Sequence, residues 1–161
     1  MEGDAAEIGL KFEKYVLPLF DLKIRNSSKD ADYKIVSWTG DYSKNIGYSI
    51  ETDSEPDLII RHLESNIKIA IECKYRSHSI AGKISISKWF LDHYKEYADK
   101  NPDIPTYILY GLDGQPDNPD RMFCVPVNEI KYANSYISGF KNYERNPKDM
   151  FTFDPATKVL K

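Results

Sequence analysis

The chain has 161 residues, the length of a typical single domain, and its 41% hydrophobic and 29% charged residues exclude an intrinsically disordered protein. The formal net charge of −3 excludes binding to nucleic acid through a bulk positive charge, so such binding would need a local patch. No apolar run approaches the roughly 18–20 residues that cross a bilayer, and the acidic N-terminus lacks a signal-peptide pattern. We therefore expect a cytoplasmic protein with a single domain over residues 1–161.

A helix is predicted near the start of the chain, over residues 3–20. Asp4 is a suitable N-cap, and Glu7 follows three residues later as in a capping box. Pro18 should end or kink this helix, because proline has no N–H to donate. The apolar stripe that would face the core consists of Ile8, Phe12, Tyr15, Val16 and Leu19.

Strands are predicted next. Residues 34–38 and 46–50 look strand-like, with turn-forming residues around them. Residues 57–62 and 67–75 read as two clear strands, and the four residues LESN between them predict a tight hairpin.

The second half of the chain alternates in the same way. Residues 85–100 predict a helix, and two strands follow at 106–112 and 121–127, separated by the turn-rich stretch 113–120. A short helix is expected near 128–137, and the tail reads as a strand with a frayed end. One face of the longer helix would carry Ile86, Trp89, Phe90, His93, Tyr94 and Tyr97, which we expect to pack. This order predicts an α/β protein of the α+β type, with a mixed central sheet flanked by helices.

The stretch IAIECKYR, residues 69–76, begins as an aliphatic strand and ends in charge. Alternate residues of a strand share a face, so Glu72 and Lys74 should point the same way. Taken alone, this is an amphipathic strand with one solvated face. Asp57, however, stands just after Pro56 at the start of the predicted partner strand, where aspartate is a poor strand former.

The loop of the hairpin decides where Asp57 lies. A two-residue loop at Ser65 and Asn66 would place Asp57 opposite Lys74, with Glu72 diagonal to it, within cross-strand reach. A loop with an odd number of residues would put Asp57 on the other face. We expect the even loop, and therefore two carboxylates and an ammonium group at the open end of the hairpin.

These residue types suit phosphodiester hydrolysis. Two close carboxylates repel each other unless a proton or cation lies between them. Mg²⁺ is commonly held by one or two carboxylates and can polarise a phosphoryl oxygen. A neighbouring lysine can orient the attacking water or neutralise charge in the transition state.

The order Pro56-Asp57, then Glu72-Cys73-Lys74 after an aliphatic strand, resembles the PD-(D/E)xK signature of the restriction-endonuclease-like nuclease superfamily. The resemblance extends from the first helix to the helix that ends near residue 100. It implies a mixed central sheet between helices, with the motif on a hairpin of that sheet, and a Mg²⁺-dependent nuclease that hydrolyses DNA.

The resemblance also implies roles for these residues. Asp57, Glu72 and the backbone carbonyl of Cys73 would bind Mg²⁺, for which Mn²⁺ can substitute, and Lys74 would activate the attacking water. Members often add a glutamate from the first helix. Here Glu13, which follows Phe12 and lies one turn after Gly9, matches that pattern and would act on a second metal ion or through a water. The alternative is that Glu13 is an ordinary surface residue at the edge of the apolar stripe.

The chain departs from the family at one point. Many members carry a Gln-x-x-x-Tyr sequence on the next helix, and His93-x-x-x-Tyr97 stands there instead. We expect His93 to pack or to form a hydrogen bond within the helix. The cysteines Cys73 and Cys124 show no zinc spacing and are expected to be reduced.

A local basic segment is present despite the negative net charge. Residues 73–91 contain no aspartate or glutamate. The segment is either a DNA-binding patch or a solvated loop and helix start, and Tyr75 either stacks on a base or completes the strand. The cationic candidates are Lys74, Arg76, Lys83 and Lys88, with His78.

Two further hypotheses remain from the sequence. The same fold could serve as a non-catalytic DNA- or protein-binding subunit of a restriction, repair or defence complex, or the motif could be accidental in an acidic adaptor. DNA is the expected partner of the nuclease, and a homodimer would match the two-fold symmetry of a duplex.

Overall fold

The computed structural model describes residues 5–38 and 58–161. Helix α1 spans Ala5–Val16 and buries Phe12 and Val16. A single 3-10 turn, Leu17–Leu19, follows and contains Pro18, so the helix ends where proline was predicted to end it. The predicted N-cap, Asp4, lies outside the described residues.

Ten strands and a second long helix follow in the described parts of the chain. They are β1 (Tyr33–Trp38), β2 (Leu58–His62), β3 (Ile67–Arg76), β4 (Lys83–Ser85), α2 (Lys88–Lys100), β5 (Thr106–Gln115), β6 (Asn118–Pro126), β7 (Asn134–Tyr136), β8 (Glu144–Arg145), β9 (Phe153–Asp154) and β10 (Val159–Leu160). The predicted strand at 46–50 falls outside the described residues.

Six of these strands form the central sheet, in the order β1-β2-β3-β5-β6-β8. β3 and β5 are parallel, while the other neighbours are antiparallel. The parallel pair is possible because α2 lies between the two strands in the chain and carries it back across the sheet. Two small sheets, β4 with β7 and β9 with β10, stand apart.

The two helices cover opposite faces of the sheet. Phe12 and Val16 of α1 share one core with Ile69, Ile71 and Leu109. On the other face, Leu91 and Tyr94 of α2 share a core with alternate residues of the strands, including Ile108, Tyr110 and Phe123. The predicted mixed sheet flanked by helices is therefore confirmed. Within residues 5–38 and 58–161, no helix is long and apolar enough to cross a membrane.

The hairpin between β2 and β3 has a longer loop than predicted. His62 pairs with Ile67 and Ile59 pairs with Ala70, so the loop comprises the four residues 63–66. Asn66 accommodates the turn with a φ of 62°. The prediction of a two-residue loop was thus wrong, because the ladder has one residue pair fewer than expected. The number of loop residues is even, as expected. The position of Asp57 itself lies outside the described residues.

Helix α2 starts later than predicted and buries a different face. Leu91 and Tyr94 are buried, whereas Trp89 is 67% exposed and His93 is also exposed. The prediction of one packed aromatic stripe was wrong for Trp89, Phe90 and His93, all of which are exposed. The buried face follows Leu91, Tyr94 and Ala98 at helical spacing instead.

The remaining differences lie in the C-terminal third of the chain. β5 and β6 extend so far that residues 116–117 alone form the turn between them. Asp113 and Gly114, which were predicted to belong to the turn, lie within β5 and have positive φ. Residues 128–137 form a 3-10 turn and β7 rather than a helix. The tail forms the β9–β10 hairpin, anchored where Leu160 N–H donates to the hydroxyl of Tyr107 at 3.1 Å.

Candidate active site at the end of strand β3

The charged end of β3 carries a close ion pair. The strand is buried at Ile69–Ile71 and becomes half-buried from Glu72 onward. Lys74 Nζ lies 3.0 Å from Glu72 Oε1, and the two side chains are only 18% and 12% exposed. Alternation along the strand places both groups on one face, as predicted.

Helix α2 contacts this ion pair through the ring of Phe90. The Lys74 ammonium lies over the ring of Phe90, 4.5 Å from its centroid. A cation over an aromatic face is attracted by the ring quadrupole, the more so where water is partly excluded. Lys74 is therefore held between a carboxylate on its own strand and a ring on α2.

Glu13 approaches the same region from the other helix. Burial raises the pKa of the Cys73 thiol well above its ordinary value, the negative charges of Glu13 and Glu72 raise it further, and Lys74 opposes them. Both carboxylates are thus within electrostatic range of Cys73, although α1 and Glu72 belong to opposite faces of β3. Glu13 itself is half-buried.

The packing of α1 on the sheet determines how closely Glu13 approaches β3. The ring of Phe12 lies 5.9 Å from that of Tyr75 and fills the space that a side chain at Gly111 would need. Because Gly111 has no Cβ, α1 can come close to β5 and bring Glu13 towards the end of β3.

A groove of about 740 Å³ opens beside the ion pair. Its walls are the first half of α1, the end of β3, the start of α2 and the β5–β6 turn. Among residues 5–38 and 58–161, the charged side chains that line it are all cationic: Lys11, Lys74 and Arg76. Arg76 donates to the backbone carbonyls of Tyr75 at 2.9 Å and Ser85 at 3.0 Å. The volume is in the range of ligand-binding clefts.

Glu72 lines a second and much smaller cavity, of about 20 Å³, together with His93 and Tyr97. This volume can hold about one water molecule. His93 and Glu72 therefore border the same small cavity. His93 also stacks on Trp89, with ring centroids 5.4 Å apart.

The predicted nucleic-acid-binding residues separate into two groups. Lys74 and Arg76 line the groove, whereas Lys83 lies over Tyr136 at 4.5 Å and Lys88 pairs with Asp92 at 2.6 Å on the exposed side of α2.

Tyr75 belongs to neither group. Its side chain is only 8% exposed, and its hydroxyl donates to the carbonyls of Asp113 and Gly114. Tyr75 completes the strand and packs against α1, so its ring is not available to stack on a base.

The donor atoms suit a hard cation. Across the two described segments, no group of three or more His, Cys, Asp or Glu side chains could hold a metal ion. Mg²⁺ commonly takes only one or two carboxylates and completes its shell with water and substrate phosphate. The carboxylates of Glu72 and Glu13 fit that chemistry as oxygen donors, and Asp57 lies outside the described residues.

Two residues of this region were not predicted from the sequence to belong to it. Lys11 lines the groove, but on the sequence it is one more exposed lysine, within 3.9 Å of Glu7 one turn earlier. Phe90 was assigned to the packed stripe, and nothing in the pattern signals that it lies under Lys74. Contacts between elements far apart in the chain leave no local signature.

The chain was compared with protein families, curated proteins and solved structures. No known family model and no curated protein matches the chain. Among solved structures, the chain is similar to a Holliday junction resolvase. That protein is Hjc from the archaeal hyperthermophile Archaeoglobus fulgidus, with a TM-score of 0.43 and 15% sequence identity, covering 69% of this chain and 80% of that one.

Proposed function

We propose that the protein is a Mg²⁺-dependent nuclease that hydrolyses phosphodiester bonds of DNA. One observation carries the proposal: Lys74, held in a largely buried ion pair with Glu72, lines a groove whose charged side chains in the described part of the chain are cationic. A phosphate backbone suits that lining, and the carboxylate and ammonium groups suit attack on a phosphodiester.

The metal-binding role falls to Glu72, with Asp57, Glu13 and the backbone carbonyl of Cys73. When bound there, Mg²⁺ or its substitute Mn²⁺ would polarise the phosphoryl oxygen and ease deprotonation of the attacking water. The oxygen-donor character of these groups supports a hard cation rather than zinc.

The register of the β2–β3 hairpin supports Asp57 as the second carboxylate. Ile59 pairs with Ala70, so odd-numbered residues of β2 lie on the face of β3 that carries Glu72 and Lys74. Asp57 immediately precedes Leu58, where β2 begins, and has the same parity as Ile59.

Lys74 is proposed to hold the attacking water and to offset negative charge that develops on the phosphoryl oxygens. Its ammonium is already fixed by Glu72 and Phe90, so little reorganisation is needed when the substrate binds. Lys11 and Arg76, further along the groove, would contact neighbouring phosphates.

The test is Lys74→Ala, assayed with Mg²⁺ and with Mn²⁺ on single-stranded, duplex and branched DNA. We expect cleavage to fall by about 100-fold or more, the usual range for loss of a proton-handling group. Lys100→Ala is the matched control, because Lys100 is an exposed lysine that pairs with Glu96 at the far end of α2. That variant should cleave as the wild type does.

Circular dichroism on both variants separates loss of chemistry from loss of fold. A folded Lys74→Ala protein with an unchanged cleavage rate would overturn the assignment. Absence of metal-dependent cleavage by the wild type on every substrate would favour the non-catalytic subunit instead.

A further inference from the structure

An exposed aromatic surface lies at the start of α2, made of Trp89, Phe90 and His93. The rings of Trp89 and His93 are parallel within 2°, with centroids 5.4 Å apart. Phe90 meets Trp89 edge-on at 5.1 Å. Trp89, one of the two tryptophans in the chain, is 67% exposed.

This α2 aromatic surface is continuous with the groove. Phe90 lines the groove and contacts the Lys74 ammonium. A chain of contacts therefore runs from the Glu72–Lys74 pair through Phe90 to Trp89. A polymer held at Lys74 would reach Trp89 with its next units.

The charges around this surface favour a polyanion. Residues 73–91 contain no acidic residue. Within the described residues, Arg76 donates to the carbonyl oxygens of Tyr75 and Ser85, which are neutral and do not cancel its charge. Lys88 pairs with Asp92 at 2.6 Å and Lys74 with Glu72 at 3.0 Å, so the uncompensated positive charge in this argument is that of Arg76.

The shape of the surface favours a flat ring over an aliphatic side chain. His93 stacks on Trp89 and Phe90 meets it edge-on, yet Trp89 stays 67% exposed, so much of the flat indole ring is accessible. An aromatic face stacks on any nucleobase, and cations beside such faces are typical of surfaces that bind single strands. A duplex hides its base faces, so only unpaired bases could use the ring.

We infer that Trp89 stacks on an unpaired base of a nucleic-acid strand whose phosphates lie along the groove. The inference rests on the proposed function and adds a substrate class to it: DNA with single-stranded character near the bond that is cut. His93 backs the indole ring, and Phe90 connects it to Lys74.

Tryptophan fluorescence tests the inference without requiring catalysis. Trp38 is buried and Trp89 is exposed, so the two should emit at different wavelengths. An unlabelled oligothymidylate, titrated in EDTA to prevent cleavage, should quench the red-shifted emission of Trp89. A blunt duplex of the same length should quench it much less.

Variants then measure the contribution of the ring. Trp89→Ala should weaken binding of the oligonucleotide by roughly 5- to 150-fold, the effect of losing one base–aromatic stack. Trp89→Phe keeps a ring and should retain much of the affinity. Met150→Ala, which removes another exposed hydrophobic side chain, should bind as the wild type does.

The outcomes separate this inference from the proposed nuclease function. Cleavage without quenching of Trp89, or equal oligonucleotide affinity in Trp89→Ala, overturns the stacking role and leaves the nuclease standing. Quenching that persists in Lys74→Ala, with no cleavage by the wild type, upholds stacking and overturns the nuclease. Self-association that Trp89→Ala abolishes, without oligonucleotide binding, assigns the surface to a second copy and overturns the inference.

Discussion

The Lys74–Glu72 pair is costly for the fold to maintain. Both side chains are largely withdrawn from water, and such desolvation can outweigh the attraction between the charges. Removing one partner from a fully buried pair costs about 3–5 kcal/mol, whereas apolar replacements of both are often neutral. A pair that adds little stability, placed at the rim of a cationic groove, is better explained by chemistry than by folding.

At the same scale, Cys124 predicts how stability depends on pH. Burial raises the pKa of its thiol from 9.0 to about 12. Above pH 9 the unfolded chain loses this proton while the folded protein keeps it, so the free energy of unfolding falls as pH rises towards 12. Between about pH 8 and about pH 10.5, this thiol alone should cost about 2 kcal/mol.

Urea unfolding at the two pH values measures this effect, with Cys124→Ala as the comparison. The variant lacks the thiol, so its loss of stability between the two pH values should be smaller by about the same amount. Tyr33 and Tyr110, whose pKa values burial raises to about 12, add to the alkaline loss in both proteins. Equal losses in both proteins, or wild-type stability that rises with pH, would contradict the account.

Among the elements, α1 and β5 meet through one glycine. A Cβ at Gly111 would stand 2.5 Å from Phe12 Cε1, which is closer than such atoms come in real structures. Gly111→Ala should lower the free energy of unfolding by about 1–3 kcal/mol through overpacking. It should also slow cleavage, because displacement of α1 moves Glu13 and Lys11 away from the end of β3.

Gly139→Ala is the matched control, since nothing lies within 4 Å of the added methyl group. Chemical denaturation and the cleavage assay are run on both variants. If Gly111→Ala were as stable and as active as Gly139→Ala, the close approach of α1 would not position the site.

The elements that could be predicted from sequence are those with strong local periodicity. α1, β2, β3 and β5 follow alternating or helical apolar patterns and appear where expected. The β2–β3 loop was misjudged by one pair, because Leu63 and Glu64 do not reveal by composition whether they extend the ladder. β4, β7 and the β9–β10 hairpin were missed or misassigned because their pairing partners and anchors, such as Tyr107 for Leu160, are remote in the chain.

The candidate site was predicted only in its strand-borne part. Alternation along β3 was sufficient to place Glu72 beside Lys74. Lys11, Phe90 and the exposure of Trp89 depend on how α1 and α2 dock on opposite faces of the sheet. Sequence periodicity indicates that a face is amphipathic, but it does not show which side chains border a groove between elements.

At the scale of the whole molecule, the net charge and the charge of the groove have opposite signs. The chain carries −3 overall, yet in the part that the structure describes the charged side chains lining the groove are Lys11, Lys74 and Arg76. The groove forms where α1, the end of β3 and the start of α2 converge. An acidic body with a local basic cleft would direct a polyanion to the end of β3, where the Lys74 ammonium lies 3.0 Å from the Glu72 carboxylate.

The most direct measurement of the central claim is a Mn²⁺ titration, followed by EPR or calorimetry, with a short DNA present to supply phosphate ligands. The account predicts saturable binding in the wild type and its loss in Glu72→Gln and in Asp57→Asn. Asp103→Asn, an exposed aspartate beyond the opposite end of β5, should bind as the wild type does. Equal Mn²⁺ binding in all four proteins would contradict the metal site and leave IAIECKYR as an amphipathic strand.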